Sequence, residues 1–480
     1  MTQHTTVGAE ELRKTIPEET IMSMFTWKVV YDGKTPPPGK AVGPQERMSW
    51  ARTAGIGAQH VVAMFGATFV FPIVMGLDPN LAILFSGICT IFFLLVVKNS
   101  VPSYLGTSAA FVASVTAIRA QGGDSSQVTG AILVAGLVLA LVGLAVHFAG
   151  PGMLKKVLPP AVTGGVVMLI GFNLAPVVAT IYWPQDQWVA IVTTVFLVVA
   201  AVLFPGFWAR IAVFLSLVFG FLLSWILDLV TGPITSVVPT SAGKAISHDR
   251  VSLAGIGDAP WFGLPTGKLA DGVAAVHGPS FSLTFVLLVL PGVIALIAEN
   301  TGHVRAVGEM TGEDLDPYMG RALAADGIGT AVASLFGASP TTTYAENIGV
   351  MSATRIYSTA AYYVAAVFAI FLGLCPKFGV VINAIPGGVL GGITIVLYGM
   401  IGLIGAKIWV DNRVDLGNPV NLIPLAAGLI AGIGGVSLKI TDNFELSGIA
   451  FGTILLICLY HLVKFKESDM RADHDSPTYT

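Results

Sequence analysis

Charge is what this sequence has least of. Asp, Glu, Lys and Arg make up 11% of its 480 residues, while 54% are hydrophobic. A soluble domain carries about 25% charge, so this composition disfavours a soluble fold and indicates a polytopic membrane protein. Cysteine is equally scarce. Cys89, Cys375 and Cys458 fall in or beside apolar stretches without metal-type spacing, which excludes a disulfide framework and a cysteine-built metal site. No basic patch suggests a nucleic-acid partner. The chain lacks an H-E-x-x-H pair and any nucleophile–base constellation, so an intramembrane enzyme has nothing to rest on. The first fifty or so residues are polar and include PPPG at Pro36–Gly39. They do not read as a signal peptide, and a loose cytoplasmic tail is expected there.

Apolar runs fill the rest. They divide into about fourteen segments: 55–76, 81–98, 102–118, 129–148, 158–180, 189–204, 208–231, 283–303, 320–337, 341–357, 359–375, 383–404, 420–437 and 446–464. Several are shorter than the ~20 residues an uninterrupted helix needs to cross the hydrocarbon. The third and tenth are also broken by polar residues, glycine or proline near their starts. Non-helical backbone at membrane depth is tolerated only inside protein or beside a cavity. With the N-terminus inside, Lys98, Lys155, Lys156, Arg210, Arg305, Arg321, Arg355, Lys407, Arg413, Lys464 and Lys466 face the cytoplasm. Only Arg119, Lys377 and Lys439 lie in the short outer loops. That asymmetry fits the positive-inside rule with both termini cytoplasmic. The long loop 232–282 then faces outward, with Asp258, Trp261 and Phe262 as interfacial or loop-packing residues.

The chain also resembles itself. GIGT at Gly327–Thr330 lies 240 positions after GICT at Gly87–Thr90, and the same shift relates Tyr344 to Tyr104 and Glu299 to Gln59. PGGVLGGIT from Pro386 follows PPAVTGGVV from Pro159 by 227. These pieces keep their order in both halves. Seven segments per half is an odd number, so the halves enter the membrane from opposite sides, as in the inverted repeats of secondary transporters. The repeat pairs the two interrupted segments, three and ten, and paired broken segments point to a binding site near the midplane. Each reads as a short extended stretch feeding a half-helix: VPSYLGTSAA before Phe111, and TTTYAE before Asn347 and Gly349. Two half-helix N-termini there suit a flat polar ligand that donates and accepts hydrogen bonds.

Glu346 reads either as a buried carboxylate satisfied by backbone N–H groups or as a ligand group. An ionisable residue inside a span is by default a functional candidate. In VIALIAENTGH, Glu299 and His303 are spaced i, i+4 on one helix face. They form either a helix-end ion pair or a proton site facing a cavity. His60 could join that network or be a satisfied interior histidine. His147 reads as interfacial. The clusters Pro159–Gly165 and Pro386–Gly392 permit close helix packing, and Tyr398 follows the second.

AENTGH, YLGTSAAF and TTYAENIGVMSATR resemble the nucleobase–ascorbate transporters, also called the nucleobase–cation symporter 2 family. The family signature Glu/Gln/Pro-Asn-x-Gly-(four residues)-Thr-Lys/Arg/Gly is met by Glu346, Asn347, Gly349, Thr354 and Arg355. The resemblance runs from QHVVAMFGAT at Gln59 to the last segment. Glu in the signature, with IGVM and T-R-x-Y-S after it, is similar to the uracil permease branch. MGLDPNLAIL, MTGEDLDPYMGRA and GAKIWVDNRVDL are closer still to pyrimidine permeases associated with uracil catabolism.

The resemblance implies an all-α polytopic membrane fold of about 14 segments as a 7+7 inverted repeat, with short antiparallel strands in segments three and ten. It implies a core domain (55–148 and 283–375) and a gate domain (158–231 and 383–464). Around these stand an N-terminal tail (1–54), the outer loop (232–282) and a C-terminal tail (465–480). It further implies proton-coupled uptake of uracil or a close pyrimidine across the bacterial cytoplasmic membrane, without a cofactor, by a lipid-embedded homodimer. The alternative is a purine (xanthine or urate) permease of the same fold. An anion carrier of the related sulfate-transporter architecture is disfavoured by two site glutamates and by the roughly sixteen residues after the last segment. Carried over by motif, Glu299 and Glu346 hydrogen-bond the pyrimidine, and backbone N–H groups of Ala109 and Ala345 complete the frame. Tyr344 and Tyr398 line the pocket, and Glu299, His303 and His60 couple the proton. Ala109 and Ala345 stand where relatives often carry Phe and Gly, leaving uracil, thymine or a purine open.

Overall fold

The computed structural model describes residues 25–238, 244–441 and 444–474. The expectations for residues 1–24, 239–243 and 475–480 lie outside the described residues. Fourteen principal helices are α1 (Trp50–Met75), α2 (Pro79–Val96), α3 (Val112–Ala120), α4 (Ser125–Ala149), α5 (Pro160–Phe172), α6 (Gln187–Leu203), α7 (Ala212–Thr231), α8 (Leu283–Thr311), α9 (Met319–Leu335), α10 (Ala345–Thr354), α11 (Thr359–Gly373), α12 (Gly387–Asp411), α13 (Pro419–Ile433) and α14 (Gly448–His474). Each overlaps one of the expected segments. Four two-stranded pairs accompany them: β1 (Lys28–Val29) with β2 (Glu46–Arg47), β3 (Leu105–Thr107) with β6 (Thr341–Thr343), β4 (Ile234–Val237) with β5 (Ala245–His248), and β7 (Ser437–Thr441) with β8 (Phe444–Ser447).

By length and composition, eight helices among the described residues can cross a membrane. A ninth candidate is α11 taken together with Pro376–Asn383, which follows it at an 82° bend. Large apolar side chains such as Leu203, Val230, Phe371 and Ile430 are exposed on the outside, where water would penalise them and lipid would not. Several boundaries differ from expectation. The first helix starts at Trp50, and α8 continues to Thr311. At 29 residues and 1.5 Å rise, α8 is about 43 Å long, so its polar last turns project beyond a ~30 Å hydrocarbon core. That projection is why hydropathy alone ended the segment at 303. Conversely, α13 stops at Ile433 because Gly434 and Gly435 follow and the chain turns into β7.

Side-chain caps set several helix starts. Asp124 accepts from Gln127 N at 2.9 Å while Gln127 Oε1 accepts from Asp124 N at 3.2 Å, a capping box opening α4. The helices pack in two sets, α1–α4 with α8–α11 and α5–α7 with α12–α14. Within the first set α2 lies on α11 and α9 on α4, while α1 lies on α11 and α8 on α4. These pairings exchange when every label moves by seven. Glycine makes the approaches possible. A Cβ on Gly136 would meet Gly327 O at 2.8 Å, and one on Gly164 would meet Gly405 O at 2.7 Å. The second of these joins the first glycine-rich cluster, on α5, to the C-terminal half of α12, while Gly388 and Gly392 of the second cluster pack on the start of α6.

The long loop is tied at both ends. Arg250 bonds Asp186 at 2.8 Å and Asp228 at 3.1 Å. Asp271 receives Ser125 N and Oγ, both at 2.6 Å, and pairs with Arg119. Partial burial raises the Asp271 pKa, but the bonds from Ser125 and Arg119, with backbone N–H groups, outweigh it and bring it down to about 2. Trp261 is exposed, with Lys377 Nζ 4.8 Å over its ring.

The expected loose tail is not loose from Phe25 onward. Residues 25–49 fold back against α1 and the start of α11. Val42 and Met48 are buried there in a small apolar cluster with Ile56, Ile356 and Ala361.

Candidate functional site

The site begins with six residues of backbone. β3 and β6 run antiparallel in register Leu105↔Thr343, Gly106↔Thr342 and Thr107↔Thr341. Three residues per strand cannot hold a ladder alone, and threonines from neighbouring helices reinforce it. Thr330 Oγ1 accepts from Thr341 N at 3.1 Å and donates to Thr341 O at 3.0 Å. Thr90 Oγ1 accepts from Leu105 N at 2.9 Å. Thr90 and Thr330 are the paired threonines of GICT and GIGT. Beyond each strand a helix starts: α10 at Ala345, and a short 3-10 turn at Ala109–Phe111 leading into α3. First-turn N–H groups have no intrahelical acceptor, so Ala109 and Ala345 present free donors and positive potential at the strand ends.

A cavity of about 410 Å³ lies against these two starts, within the usual ~300–1,000 Å³ range of small-molecule sites. Ala109, Ala345, Glu299 and His303 line it, and Ile401, Ile404 and Ile408 of α12 form the opposite wall. The expected one-face arrangement of Glu299 and His303 is therefore realised, both facing the cavity. They form no ion pair with each other among the described residues. His303 Nδ1 lies 2.8 Å from Thr343 Oγ1, and Thr342 Oγ1 donates to Glu299 Oε2 at a long 3.5 Å. Each thus meets a threonine of β6. At one end the cavity reaches the exposed ion pair Lys407–Asp411. It adjoins there a second cavity of about 240 Å³ bordered by Arg305.

Other expected residues sit elsewhere. Tyr344 does not line the cavity. Its ring is buried behind the strands, its hydroxyl donating to Thr107 O at 2.8 Å and accepting from Thr68 Oγ1 at 3.2 Å. Tyr398 borders a different cavity of about 430 Å³, between α5, α12 and the residues following α5. It sits one helix turn before Ile401, at the height on α12 that meets Gly171, Phe172 and the residues following α5. His60 is buried away from Glu299 and His303. It stacks on Tyr362 at 4.2 Å, with Asn347 Nδ2 3.1 Å from its Nδ1 and donating to its carbonyl at 3.0 Å. Glu346 is half-buried in the first turn of α10.

One residue was not anticipated. Asp326 of α9 is fully buried, and Asn300 Nδ2 donates to its Oδ2 at 3.2 Å. It stands directly before GIGT, the repeat partner of GICT. An acid inside an apolar segment was signal enough to find it. Removing the carboxylate in Asp326→Ala strands the Asn300 amide in the interior, a cost of ~1–3 kcal/mol. The melting temperature of the purified protein should fall by about 3–6 °C, with Asp326→Asn, which keeps an acceptor, between the two. Equal melting of all three proteins would mean that the bond contributes nothing.

The arrangement offers a carboxylate acceptor, backbone donors and a histidine in a largely apolar cavity, groups suited to holding a small polar ligand. Comparison with known proteins accords with that. A profile described as "Permease family" matches residues 52–440. The putative pyrimidine permease RutG of Escherichia coli K12 is 43% identical over 87% of this chain and 91% of its own. The uracil permease of Bacillus caldolyticus is 35% identical over 86% and 93%, and that of E. coli K12 is 34% identical over 88% and 94%. Among solved structures, the murine Slc26a9 anion transporter in the inward-facing state covers 88% of this chain and 70% of its own at a TM-score of 0.60 and 13% identity. The transmembrane domain of the cyanobacterial bicarbonate transporter BicA covers 85% and 96% at 0.55 and 14%. At such low identity these two speak for the transporter fold alone. With 389 consecutive positions, 52 to 440, under one family profile, and with permeases rather than enzymes as its relatives, this chain is a multi-pass membrane permease and belongs to the nucleobase–ascorbate transporter family.

Proposed function

We propose that the protein takes up uracil or a close pyrimidine together with a proton, by alternating access across the bacterial cytoplasmic membrane. The observation that carries this reading is the β3–β6 pair, which sets two helix starts and the Glu299–His303 face around one cavity. A uracil edge alternates N–H and C=O groups. Glu299 and Glu346 accept from the ring N–H groups, and the N–H groups of Ala109 and Ala345 donate to the carbonyl oxygens. A site that pairs every buried polar atom rejects ligands that leave one unpaired. The uracil and pyrimidine permeases among the relatives support the substrate class.

Proton and substrate are linked at Glu299 and His303. Protonation of this pair, with the proton held on His303 and Glu299 left as the accepting carboxylate, favours substrate binding, and substrate favours protonation by the same factor. His303 meets Thr343 and Glu299 meets Thr342, so a change at either side chain is felt by the strand framing the ligand. His60, through Asn347, orients the residue after Glu346. The fourteen helices are read as crossing segments in a 7+7 inverted repeat, supported by the seven-place exchange of packing partners. The first packing set is the core and the second the gate. The cavity between them opens beside Lys407 and Arg305, on the side the positive-inside rule assigns to the cytoplasm, so this conformation faces inward with both termini inside. The protein works in lipid as a homodimer.

The test is uptake of radiolabelled uracil in a permease-deficient bacterial host, with and without a proton ionophore. Accumulation that the ionophore abolishes is expected. Good membrane expression without uracil uptake would sink the substrate assignment, and competition by xanthine would point to the purine alternative.

A further inference from the structure

The segment before α1 does more than lead into the membrane. β1 and β2 pair in parallel, Lys28 with Glu46 and Val29 with Arg47, and close residues 28–47 into a loop. Ser49 N donates to Gly33 O at 2.9 Å and fixes the loop's base at the start of α1. From this loop Val42 reaches the chain leaving α10. Val42 N donates to Arg355 O at 3.0 Å, and Tyr357 N donates to Val42 O at 2.8 Å, a one-residue parallel bridge to Ile356. Two residues on, Pro44 O accepts from Thr359 N at 3.0 Å and from Thr359 Oγ1 at 2.8 Å. The same hydroxyl accepts from Trp27 Nε1 at 2.8 Å. Val42 is fully buried and Met48 nearly so. Beta-strand pairing, an apolar anchor and a side-chain bridge therefore converge on residues 355–359.

That place matters because of what α10 is. It has ten residues, fewer than the ~12–15 at which an isolated helix is even marginal in water. Its first turn carries Ala345, which lines the cavity, followed by Glu346. Its last residue is followed by Arg355 at φ 54°, a left-handed cap whose N–H donates to Met351 O. A short helix is held by its ends. β6 fixes the cavity end, and the loop of residues 25–49 fixes the other by holding Arg355 O and Tyr357 N. Both anchors belong to the same packing set, so the clamp travels with the site.

We infer that residues 25–49 are a positioning element of the substrate site, clamping the far end of α10 so that Ala345 is held at the cavity with Glu346 next to it. The inference rests on the uracil reading for its transport readout, while its structural readout does not. Two variants remove the clamp differently. Val42→Pro deletes the N–H given to Arg355 O. Thr359→Val keeps the shape of the side chain but loses both hydroxyl bonds, and Thr359→Ser restores them.

Each variant is compared with wild type for membrane level, for KM and maximal rate of uracil uptake, and for amide hydrogen exchange of residues 345–354 in purified protein. Val42→Pro and Thr359→Val should raise KM at least about fivefold at wild-type membrane levels, with a smaller change in maximal rate, and should speed exchange in α10 about tenfold or more. Thr359→Ser should behave as wild type in both. Unchanged exchange in α10 overturns the inference. So does the failure of both clamp variants to reach the membrane, which would make the segment a requirement for folding instead. If the wild type moves no uracil, the substrate reading has failed, and exchange in α10 alone decides the clamp.

Discussion

Glu299→Gln should reduce uracil uptake at least about 100-fold at unchanged membrane level. The glutamate lines the cavity, and among the described residues its carboxylate receives the long bond from Thr342 Oγ1. Its carboxylate is therefore available to a ligand. A charged acceptor of a ring N–H is worth ~1.5–3 kcal/mol, and a glutamine turned with its amide toward that N–H leaves two donors facing each other at a further ~1–3 kcal/mol. Together these come to ~2.5–6 kcal/mol, and the ~2.8 kcal/mol that corresponds to a hundredfold lies near the low end of that range. The amide also cannot take up and release a proton, so whatever transport remains should lose its sensitivity to a proton ionophore. Uptake per membrane copy, with and without the ionophore, checks both parts. A variant within threefold of wild type would mean that Glu299 does not touch the substrate.

Gly106→Ala should be as damaging without removing any functional group. Gly106 is the middle residue of β3, paired with Thr342. A Cβ there would overlap the Tyr344 ring and stand 2.7 Å from Thr68 Oγ1. The ring cannot swing aside, because its hydroxyl is held by both Thr107 O and Thr68. The strand must then move, and overpacking of this kind costs ~1–3 kcal/mol. A strand displaced by ~1 Å carries the Ala109 and Ala345 donors out of alignment, which in a positioned site is worth about 100-fold. Gly55→Ala, with nothing within 4 Å of the new carbon, is the matched control and should transport normally. Normal uptake by Gly106→Ala would show that the strand pair tolerates movement and does not frame the ligand.

Both predictions fall on features that polarity exposes in the sequence. Segments three and ten could be singled out because Ser, Thr, Tyr and Gly interrupt apolar runs, and such residues at membrane depth must be satisfied by backbone or cavity. The same reasoning placed Glu299 and His303 on one face. It could not tell which polar group faces the ligand and which is spent inside the protein. Tyr344 and His60 are examples. Their partners, Thr107 and Thr68 for one and Asn347 for the other, are distant in sequence. Tyr398 illustrates a question of height along a helix, since one turn along α12 separates two cavities. Asp326 was legible and overlooked, its neighbours being small residues that read as packing. The clamp was hidden for another reason. Its anchors are single apolar side chains, Val42 and Met48, set among prolines and charges, and its bonds are mostly backbone, which no residue pattern announces.

The β3–β6 pair also has a consequence for how the chain is made. Thr107 and Tyr344, joined across the strands, are 237 residues apart. At ~5–20 residues per second, β3 leaves the ribosome roughly 10–50 s before its partner exists. Through that interval its N–H and C=O groups have no strand to bond, although the helices around it are already entering lipid, where each unsatisfied group costs several kcal/mol. The first half must therefore wait with its broken segment unfinished, shielded by water or by the insertion machinery. A chain cut short before residue 341 would hold an unpaired β3 among its membrane helices. Quality control in the membrane would meet that stretch as exposed backbone, a mark that the completed protein hides by closing six residues against one another.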